Sequence, residues 1–587
     1  MSRNFGVTTL VRNESAAPRL RILRCACAAL LLSTSIGVAN AGWISLCAAG
    51  AVTQAESKTL ATYLDPAGGR QLLIATREKP RDCASAEIPV DIDKLTWGTL
   101  IADDIARNLD GGVILQGVLD RDPPNVSEVI PARTRVASIA VSTPVDAELL
   151  PALKAAPFGI EERARANPSA NHTLIVECKA GARPAGIVLQ SPGWILPQGI
   201  MLKVELGYRA NAPFTVGIAD RARAAREEPL LLGALDAERS TAGLDLPAAV
   251  LAENLALSFI CPEQPARIEI SSLRILPSQP RSTVPGRALW AWRPQWWINE
   301  PQRLLAELQT ARADTVYVTV PVNDDSPQIS QRAALQNFIA EATRRGIGVW
   351  AVDGDPHAIL PRVRGEFVRR ARAYAEYNRG VAENQRLRGV QYDIEPYLVP
   401  GYQLATASWL GAYLETIALL KAELNMPLEL AVPFWWANES YAGAPFIERL
   451  AAYADSLAVM NYRTVPASIR AGAEPFLAWS TRFKRGVRIA LEAGAIEDEQ
   501  RRHYRKSAAG ELWEVKLPGH AALILLDAAA HNPGGAALAR ARSSTFSGDQ
   551  ISFARNPQAL FALLPGLEKS WSAWPGFAGI ALHGLLP

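Results

Sequence analysis

From Arg287 onward, apolar strand-like runs alternate with helical segments, and this alternation limits most what the chain can fold into. Strands that alternate with helices predict a parallel sheet flanked by helices. The predicted strands are Ala288–Trp292, Thr315–Val320, Ile347–Val352, Gly389–Glu395, Leu428–Phe434, Ser456–Tyr462, Val487–Glu492 and Gly579–His583. Eight such strands in about 300 residues predict a (β/α)8 TIM barrel at residues 287–587.

The interval between the seventh and eighth predicted strands is too long for a single loop. It contains the apolar run Ala521–Leu526 and the strand-like Ser544–Phe546. We therefore predict an insertion in the barrel at about residues 495–570.

The residues before the barrel predict β-structure. Regularly spaced short strand-like runs at 166–278 predict a β-sandwich or jelly roll, and Ala266–Ile275 resembles the last strands of carbohydrate-binding jelly rolls. Residues 56–165 hold scattered runs, among them Val136–Val141, and predict a β-rich region whose fold stays open. Prolines around residue 280 predict a linker at 279–286. The predicted fold class is thus multidomain.

The N-terminus reads as an export signal. Three arginines, the last of them Arg24, precede the apolar run Cys25–Val38, and Ala39-Asn40-Ala41 offers a cleavage site, so residues 1–41 are predicted to be a signal peptide or signal anchor. The uncharged stretch continues to Ala55, so anchoring in the inner membrane by residues 25–55 is the alternative. We expect an exported protein, periplasmic or secreted, with membrane attachment only through this segment.

Four cysteines follow the predicted signal, and in an exported chain they indicate disulfides with three possible connectivities. We favour Cys178–Cys261, because both cysteines lie in strand-like runs that bound one region.

Charge and motifs exclude several classes of partner. The formal net charge is +3, and residues 1–41 carry five Arg against one Glu, so the remainder is close to neutral and no nucleic-acid partner is expected. No glycine-rich phosphate loop opens a predicted helix, and no cysteine–histidine cluster has metal-ligand spacing. We predict no cofactor and no metal.

The fourth predicted strand ends in two carboxylates. Residues i and i+2 of a strand point the same way, so Gln391, Asp393 and Glu395 share one face. Neighbouring acids push each other's pKa values apart, which suits acid/base work on a glycosidic bond. The alternative is a structural acid that pairs with an arginine.

The ends of the other predicted strands also carry polar and aromatic residues, and the C-terminal ends of barrel strands are where such folds hold their chemistry. Of 15 Trp, 12 lie from Trp290 onward, and indole rings stack on sugars. We predict that substrate is bound by Trp292, Arg293, Asp353, Gln391, Trp435, Trp436, Asn461, Arg463 and His583.

Two motifs carry a resemblance. Residues 388–395 read R-G-V-Q-Y-D-I-E and resemble D-G-x-D-x-D-x-E of the chitinase-like glycoside hydrolase family eighteen, and Met460-Asn461-Tyr462 resembles its M-x-Y motif. The resemblance implies that Glu395 protonates the leaving oxygen, that Asp393 positions the nucleophile and that Tyr462 hydrogen-bonds the sugar.

The chain departs from that family at three positions. Arg388 and Gln391 replace the first two Asp of the motif, and His583 replaces the family's Trp on strand eight, which puts an N-acetylated substrate in doubt.

Glu395-Pro396 resembles the N-E-P motif of the large retaining clan with acids at the ends of strands four and seven, with Ile394 in place of the Asn. Glu492, at the end of Ile489–Glu492, stands where that clan has its nucleophile. This second resemblance implies that Glu395 is the acid and Glu492 the nucleophile. The combined pattern D-I-E-P, M-N-Y-R, L-E and A-L-H also resembles uncharacterised bacterial barrel proteins.

The leading hypothesis is an exported glycoside hydrolase that cleaves a polysaccharide or oligosaccharide with Glu395, Asp393, Glu492 and Tyr462 as catalytic residues. The alternative is a non-catalytic carbohydrate-binding or cell-envelope protein. A third hypothesis is a metal-dependent hydrolase or deacetylase that would use Asp353, Asp355, Asp393 and His583.

Overall fold

A computed structural model describes residues 42–51, 57–132, 142–159, 162–168, 173–218, 230–247, 254–278 and 283–586. The predicted signal or anchor at 1–41, the predicted strand Val136–Val141 and residues 279–282 of the predicted linker lie outside the described residues. No helix in the described ranges is long and apolar enough to cross a membrane.

The first sheet has four strands. They are β1 (Gly42–Ala48), β2 (Ser57–Leu64), β3 (Arg70–Thr76) and β4 (Ala84–Ile88), in the order β2-β3-β1-β4. A disulfide joins Cys47 on β1 to Cys83. Because Gly42–Ala48 is a strand between β3 and β4, these residues do not continue a membrane helix over 25–55.

Two five-stranded sheets form a sandwich before the barrel. After β5 (Leu95–Ile101), α1 (Asp103–Arg107), β6 (Val113–Val118) and β7 (Asn125–Pro131), the sandwich strands are β8 (Lys154–Gly159), β9 (Ala164–Pro168), β10 (Leu174–Cys178), β11 (Ala185–Ile195), β12 (Leu202–Ala210), β13 (Phe214–Ile218), β14 (Leu230–Leu235), β15 (Thr241–Leu246), β16 (Asn254–Ile260) and β17 (Ala266–Pro277). The sheet orders are β15-β12-β17-β10-β9 and β14-β13-β16-β11-β8.

The sandwich core comes from alternation along its strands. On β12, Leu202, Val204 and Leu206 are buried while the residues between them are partly exposed. A disulfide joins Cys178 to Cys261, which confirms the favoured pairing. The two disulfides suggest an exported protein, because such bonds persist in oxidising compartments.

The closed barrel consists of parallel strands only. Its strands and the elements between them are β18 (Arg287–Ala291), α2 (Gln295–Ile298), α3 (Pro301–Thr310), β19 (Ala313–Thr319), α4 (Arg332–Arg344), β20 (Gly348–Asp353), α5 (Pro361–Arg379), β21 (Val390–Tyr392), α6 (Thr406–Glu423), β22 (Leu428–Pro433), the small pair β23 (Ser440–Tyr441) and β24 (Ala444–Pro445), α7 (Phe446–Leu450), β25 (Ser456–Met460), α8 (Pro466–Phe483) and β26 (Gly486–Glu492). The last strand, β31 (Phe577–His583), pairs with both β26 and β18 and closes the barrel.

Between β26 and β31 the chain leaves the barrel. It forms β27 (Glu499–Ser507), β28 (Gly510–Leu517), β29 (His520–Ala530) and β30 (Ala537–Phe546), then α9 (Pro557–Trp571). These strands pair with β5–β7 in one seven-stranded sheet of order β5-β29-β28-β30-β27-β6-β7. The N-terminal region and the interruption of the barrel therefore share a sheet.

The predicted fold class, β-rich regions followed by a (β/α)8 TIM barrel with an insertion, is wrong for this chain. The structure is β-rich, its described strands fall into six sheets, and the closed barrel is an eight-stranded, all-parallel sheet accompanied by few helices. The connection from β24 to β25 holds only the five-residue α7, and four antiparallel strands leave the barrel after β26. These strands pair with the N-terminal segment instead of covering the barrel.

A hydrogen-bonded network fills the barrel interior. The buried Glu429 carboxylate accepts hydrogen bonds from Tyr317 (2.5 Å), the Gln391 side-chain amide (2.7 Å) and Ser456 (2.7 Å). Trp290 donates from Nε1 to the side-chain oxygen Oε1 of Gln391 (2.6 Å). One buried carboxylate thus connects five strands, and its partners offset the cost of removing it from water.

An ion pair joins the start of the barrel to its last helix. Arg287 on β18 contacts Glu568 on α9 through two nitrogens at 2.5 and 3.2 Å, and the side chains are only 10% and 13% exposed. Breaking one partner of such a pair leaves an uncompensated buried charge.

We expect Glu568→Ala to lower the free energy of unfolding by about 3–5 kcal/mol, because Arg287 would lose its buried partner. Glu423→Ala is the matched control, since Glu423 pairs with the exposed Arg372 and water screens such a pair, so its loss should cost far less. Denaturant titrations followed by tryptophan fluorescence measure both losses. Equal losses would contradict the assignment.

Candidate functional site

Side chains alternate between the inside and the outside of the barrel along each strand, and this alternation decides which of the predicted residues reach the mouth of the barrel. The interior is lined by alternate residues, among them Trp290, Ala458, Ala490 and Ala581. If the same alternation is continued beyond the C-terminal end of each strand, the next inward residues lie at the C-terminal mouth of the barrel. Those residues are Trp292, Asp393, Tyr462, Glu492 and His583, with Glu395 after a further step of two.

Residues at the alternate, outward positions face the surrounding helices. Asp353 accepts from Arg370 (2.9 Å) and Tyr374 (3.3 Å), both on α5. Asn461 is fully buried and donates to the Ile469 carbonyl oxygen (2.6 Å). The structure therefore places Asp353 and Asn461 in the packing around the barrel.

Two further predicted residues lie below or behind the mouth. Gln391 is fully buried in the interior network, with its amide shared between Trp290 and Glu429. Trp436 is fully buried and packs edge-on against Phe446, with ring centroids 4.9 Å apart. Neither side chain is exposed to a substrate in solution.

Asp393 is a largely buried acid. Its pKa is raised to about 7, chiefly by burial and further by the charge of Glu395, while the charge of His583 opposes both effects. Its Oδ1 is buried and has no hydrogen-bond partner in the described residues. One oxygen of this carboxyl is therefore unpaired beside a second acid.

Glu395 follows on the same face. Burial raises its pKa, while a hydrogen bond from the Tyr397 hydroxyl and the charge of His583 lower it. Tyr397 was not predicted from the sequence; it lies in the short 3-10 helix Pro396–Leu398 that begins directly after Glu395. Its ring lies edge-on to Trp435, with centroids 4.8 Å apart, and so connects the acid to the aromatic rim.

A hydrogen-bonded chain crosses the opposite side of the mouth. Trp292 donates from Nε1 to Nε2 of His583 (2.9 Å), and Nδ1 of His583 is 2.6 Å from Glu492 Oε2. This places the proton of the neutral imidazole on Nδ1. Oε1 of Glu492 accepts from the Gly494 N–H (2.6 Å), so both carboxylate oxygens already have partners.

His583 responds to all three acids. Burial alone would lower its pKa, but the hydrogen bond and charge of Glu492, with the charges of Asp393 and Glu395, raise it above the usual value. Tyr462 stacks on the His583 ring with centroids 5.8 Å apart, and burial together with the three carboxylates raises the pKa of its hydroxyl. The charges of the three carboxylates thus influence the pKa values of both His583 and Tyr462.

Two tryptophans stand at the rim of the mouth. Trp292 and Trp435 are each 38% exposed, far more than their buried neighbours. Exposed indole faces beside carboxylates are suited to stacking on a sugar ring. Arg293, next to Trp292, is also exposed.

The N-terminal region forms one wall of the mouth. Arg463, after β25, stacks over Phe434 at 4.5 Å, and burial lowers its pKa while the charge of Glu128 on β7 raises it. A cavity of about 560 Å³ separates β7 from the loop after β21 and is lined by Tyr63, Asn125, Tyr397 and Gln403, among others. Sequence reasoning missed this wall, because nothing near Glu128 indicates a distant partner.

No group of three or more His, Cys, Asp or Glu side chains in the described ranges is placed to hold a metal ion. Of the residues in the metal-hydrolase hypothesis, Asp353 is paired with Arg370, and Asp355 is exposed and bonded to the His357 ring (2.9 Å).

Comparisons with known proteins give no family. No family model and no curated protein matches the chain. Among solved structures, a mutant of the family 29 carbohydrate binding module CBM29-2 is similar over 21% of this chain and 74% of its own, at 12% identity and a TM-score of 0.17. The CBM22-1–GH10 modules of endo-1,4-β-D-xylanase 10B from Clostridium thermocellum, complexed with xylohexaose, cover 60% of this chain and 80% of their own, at 11% identity and a TM-score of 0.23. Likenesses this weak carry no argument, and the resemblances drawn from sequence stay predictions.

We expect the raised pKa of Asp393 to make stability fall as pH rises. The pKa is about 7 in the fold and 3.8 in the free side chain, so the unfolded state binds fewer protons between these values and the free energy of unfolding declines across that window. Between pH 5 and pH 8, Asp393→Asn should remove a decline of roughly 3 kcal/mol at most. Denaturant titrations at pH 5 and pH 8 compare variant with parent.

Asp355 is an exposed aspartate, and Asp355→Asn is the control: it should show the same decline in the free energy of unfolding with pH as the parent. Asp353 and Glu474 also have raised pKa values but are unchanged in every protein, so they cancel in the comparison. An Asp393→Asn protein with the parental decline would contradict the assigned pKa.

Proposed function

We propose that the barrel mouth binds a carbohydrate chain and that Glu395 acts there as the general acid in cleaving a glycosidic bond. The observation that carries this proposal is the pair Asp393 and Glu395, two largely buried acids with raised pKa values beneath an aromatic rim. Two close carboxyl groups at neutral pH retain a proton that one of them can donate.

In the proposed reaction, Glu395 donates its proton to the glycosidic oxygen as the bond from that oxygen to the anomeric carbon breaks. Asp393, with Oδ1 uncommitted, is the better partner for the positive charge that develops on the sugar. Water then adds to the anomeric carbon and returns a proton to the site. Glu492 is less suited to attack, because His583 and the Gly494 N–H occupy its oxygens.

The surrounding residues orient the pair. The Tyr397 hydroxyl donates to Glu395, which holds that carboxyl against Trp435. His583 shares a proton with Glu492 and opposes the charge of both acids from the other side of the mouth. Trp292 and Trp435 would hold sugar rings at the rim.

A second candidate is a carbohydrate-binding protein without catalysis. It is favoured by Gln391, which occupies an Asp position of the chitinase-like motif and whose amide is fully used inside the barrel. The position therefore serves barrel packing, and the aromatic rim could bind a glycan without cleaving it.

We expect Glu395→Gln to lower glycan cleavage by at least about 100-fold, because the general acid is lost while its shape is kept. Release of sugar from bacterial exopolysaccharides and chitin-type oligomers measures the rate, and glycan binding is measured beside it. The control Glu497→Gln alters an exposed carboxyl paired with Arg121 (2.8 Å) and should cleave like the parent.

Two outcomes oppose the catalytic role. Undiminished cleavage by the Glu395→Gln protein would remove Glu395 from the mechanism. Glycan binding by parent and variant with cleavage by neither would establish the second candidate instead.

A further inference from the structure

The strands that leave the barrel after β26 carry many cations, and the two faces of their ribbon differ. Along β27, Arg501, His503 and Arg505 alternate and therefore share one face. The register pairs His503 with Arg542 on β30, which adds a fourth cationic or titratable side chain to that face. We call these four residues the basic stripe.

The opposite face of the same two strands is neutralised. Arg502 pairs with Asp120 (2.7 Å), Lys506 with Asp110 (2.7 Å) and Arg540 with Glu511 (3.9 Å). Each cation there meets a carboxylate.

The basic stripe lacks such partners. Within the described ranges, Arg501, Arg505 and Arg542 have no carboxylate within 4.0 Å, and Arg501 instead bonds the Gln116 amide oxygen (2.6 Å) and lies 4.2 Å over the Phe546 ring. Burial and the charges of the three arginines lower the pKa of His503, which is evidence that the charges lie close together. Like charges held together in this way favour an external anion.

The basic stripe begins at the wall of the barrel mouth. Arg501 pairs across the ladder with Gln116, and Gln116 with Glu128, so all three share a face. Glu128 is close enough to both Arg501 and Arg463 for their charges to lower its pKa, although burial raises it overall. The face that carries the stripe thus continues through Glu128 to Arg463, which follows β25.

Two carboxylates lie at the end of the stripe nearest the mouth. Glu499 accepts from the Gln116 amide (2.6 Å), and Glu128 lies on the neighbouring strand. They offset Arg501 and Arg463 there, and the uncompensated charge is therefore concentrated at the far end, on Arg505 and Arg542. Both of these side chains are exposed.

We infer that the basic stripe binds carboxylate groups of an acidic polysaccharide whose chain continues into the barrel mouth. The inference rests on the proposed carbohydrate binding at that mouth and names the substrate class as a polyuronate. Arginine forks match carboxylates with paired hydrogen bonds, and successive stripe residues on one strand stand roughly 6.6–6.8 Å apart. A polymer with one carboxylate per sugar presents such groups repeatedly along its length.

The test compares two double variants of the full chain. Arg505→Ala with Arg542→Ala removes the far end of the stripe, and Lys506→Ala with Arg540→Ala removes the same formal charge from the neutralised face of the same strands. Binding of polygalacturonate oligomers is measured in the Glu395→Gln background, so that the polymer stays intact. Dextran and double-stranded DNA serve as neutral and non-glycan comparisons.

We expect the stripe variant to bind polygalacturonate at least about tenfold more weakly, a change of about 1.4 kcal/mol, and the control variant to stay within about twofold of the parent. Equal weakening in both variants, no weakening in either, or parental binding of DNA as tight as that of polygalacturonate would overturn the inference.

Failure of this inference differs from failure of the proposed function. Selective loss of polygalacturonate binding in the stripe variant supports the inference even if no glycan is cleaved. Cleavage of a neutral glycan by the parent, with polygalacturonate binding unaffected by the stripe variant, overturns the inference and leaves the catalytic proposal standing.

Discussion

The buried carboxylate of Glu429 is the constraint on which the arrangement of the mouth depends. It takes hydrogen bonds from Tyr317, Gln391 and Ser456 on three different strands, and an unpaired charge in that interior would be strongly destabilising. Gln391 must therefore point inward. Since side chains alternate along a strand, Asp393 and then Glu395 are directed to the mouth as a consequence of a contact made beneath them.

The wall beside the acids depends on a different kind of interaction. Strand β5 pairs with β29 and β6 with β27, across more than half of the chain, and the resulting sheet brings Glu128 close to Arg463. The core under this sheet joins Ile44 and Leu73 of the first sheet with Trp513 and Ile524 of the late strands. Neither segment could bury these residues without the other.

Local signals in the sequence were sufficient for part of this structure. The eight barrel strands overlap the eight predicted segments, because each is a short apolar run next to turn residues. The strand that carries the acids is shorter than predicted, ending at Tyr392, since Asp393 and Glu395 lie beyond the ladder. Ala458 lies at an inward position of β25, so the alternation along the strand directs Tyr462 inward and Asn461 outward, and this alternation would have distinguished the two residues. The pairing of β5–β7 with β27–β30 has no local signal, and this pairing is why the predicted fold class failed.

The shared seven-stranded sheet also sets an order of assembly. During synthesis β5, β6 and β7 emerge long before their partners, and β6–β7 alone can form only a two-stranded ribbon. The edge of β6 that later pairs with β27 stays open until the chain has been made past residue 507, and the edge of β5 that later pairs with β29 until it has been made past residue 530. Open edges of this kind are prone to pair with other chains. The wall beside Glu395 is thus among the last parts to be completed, and a chain released early would present acids without their enclosure.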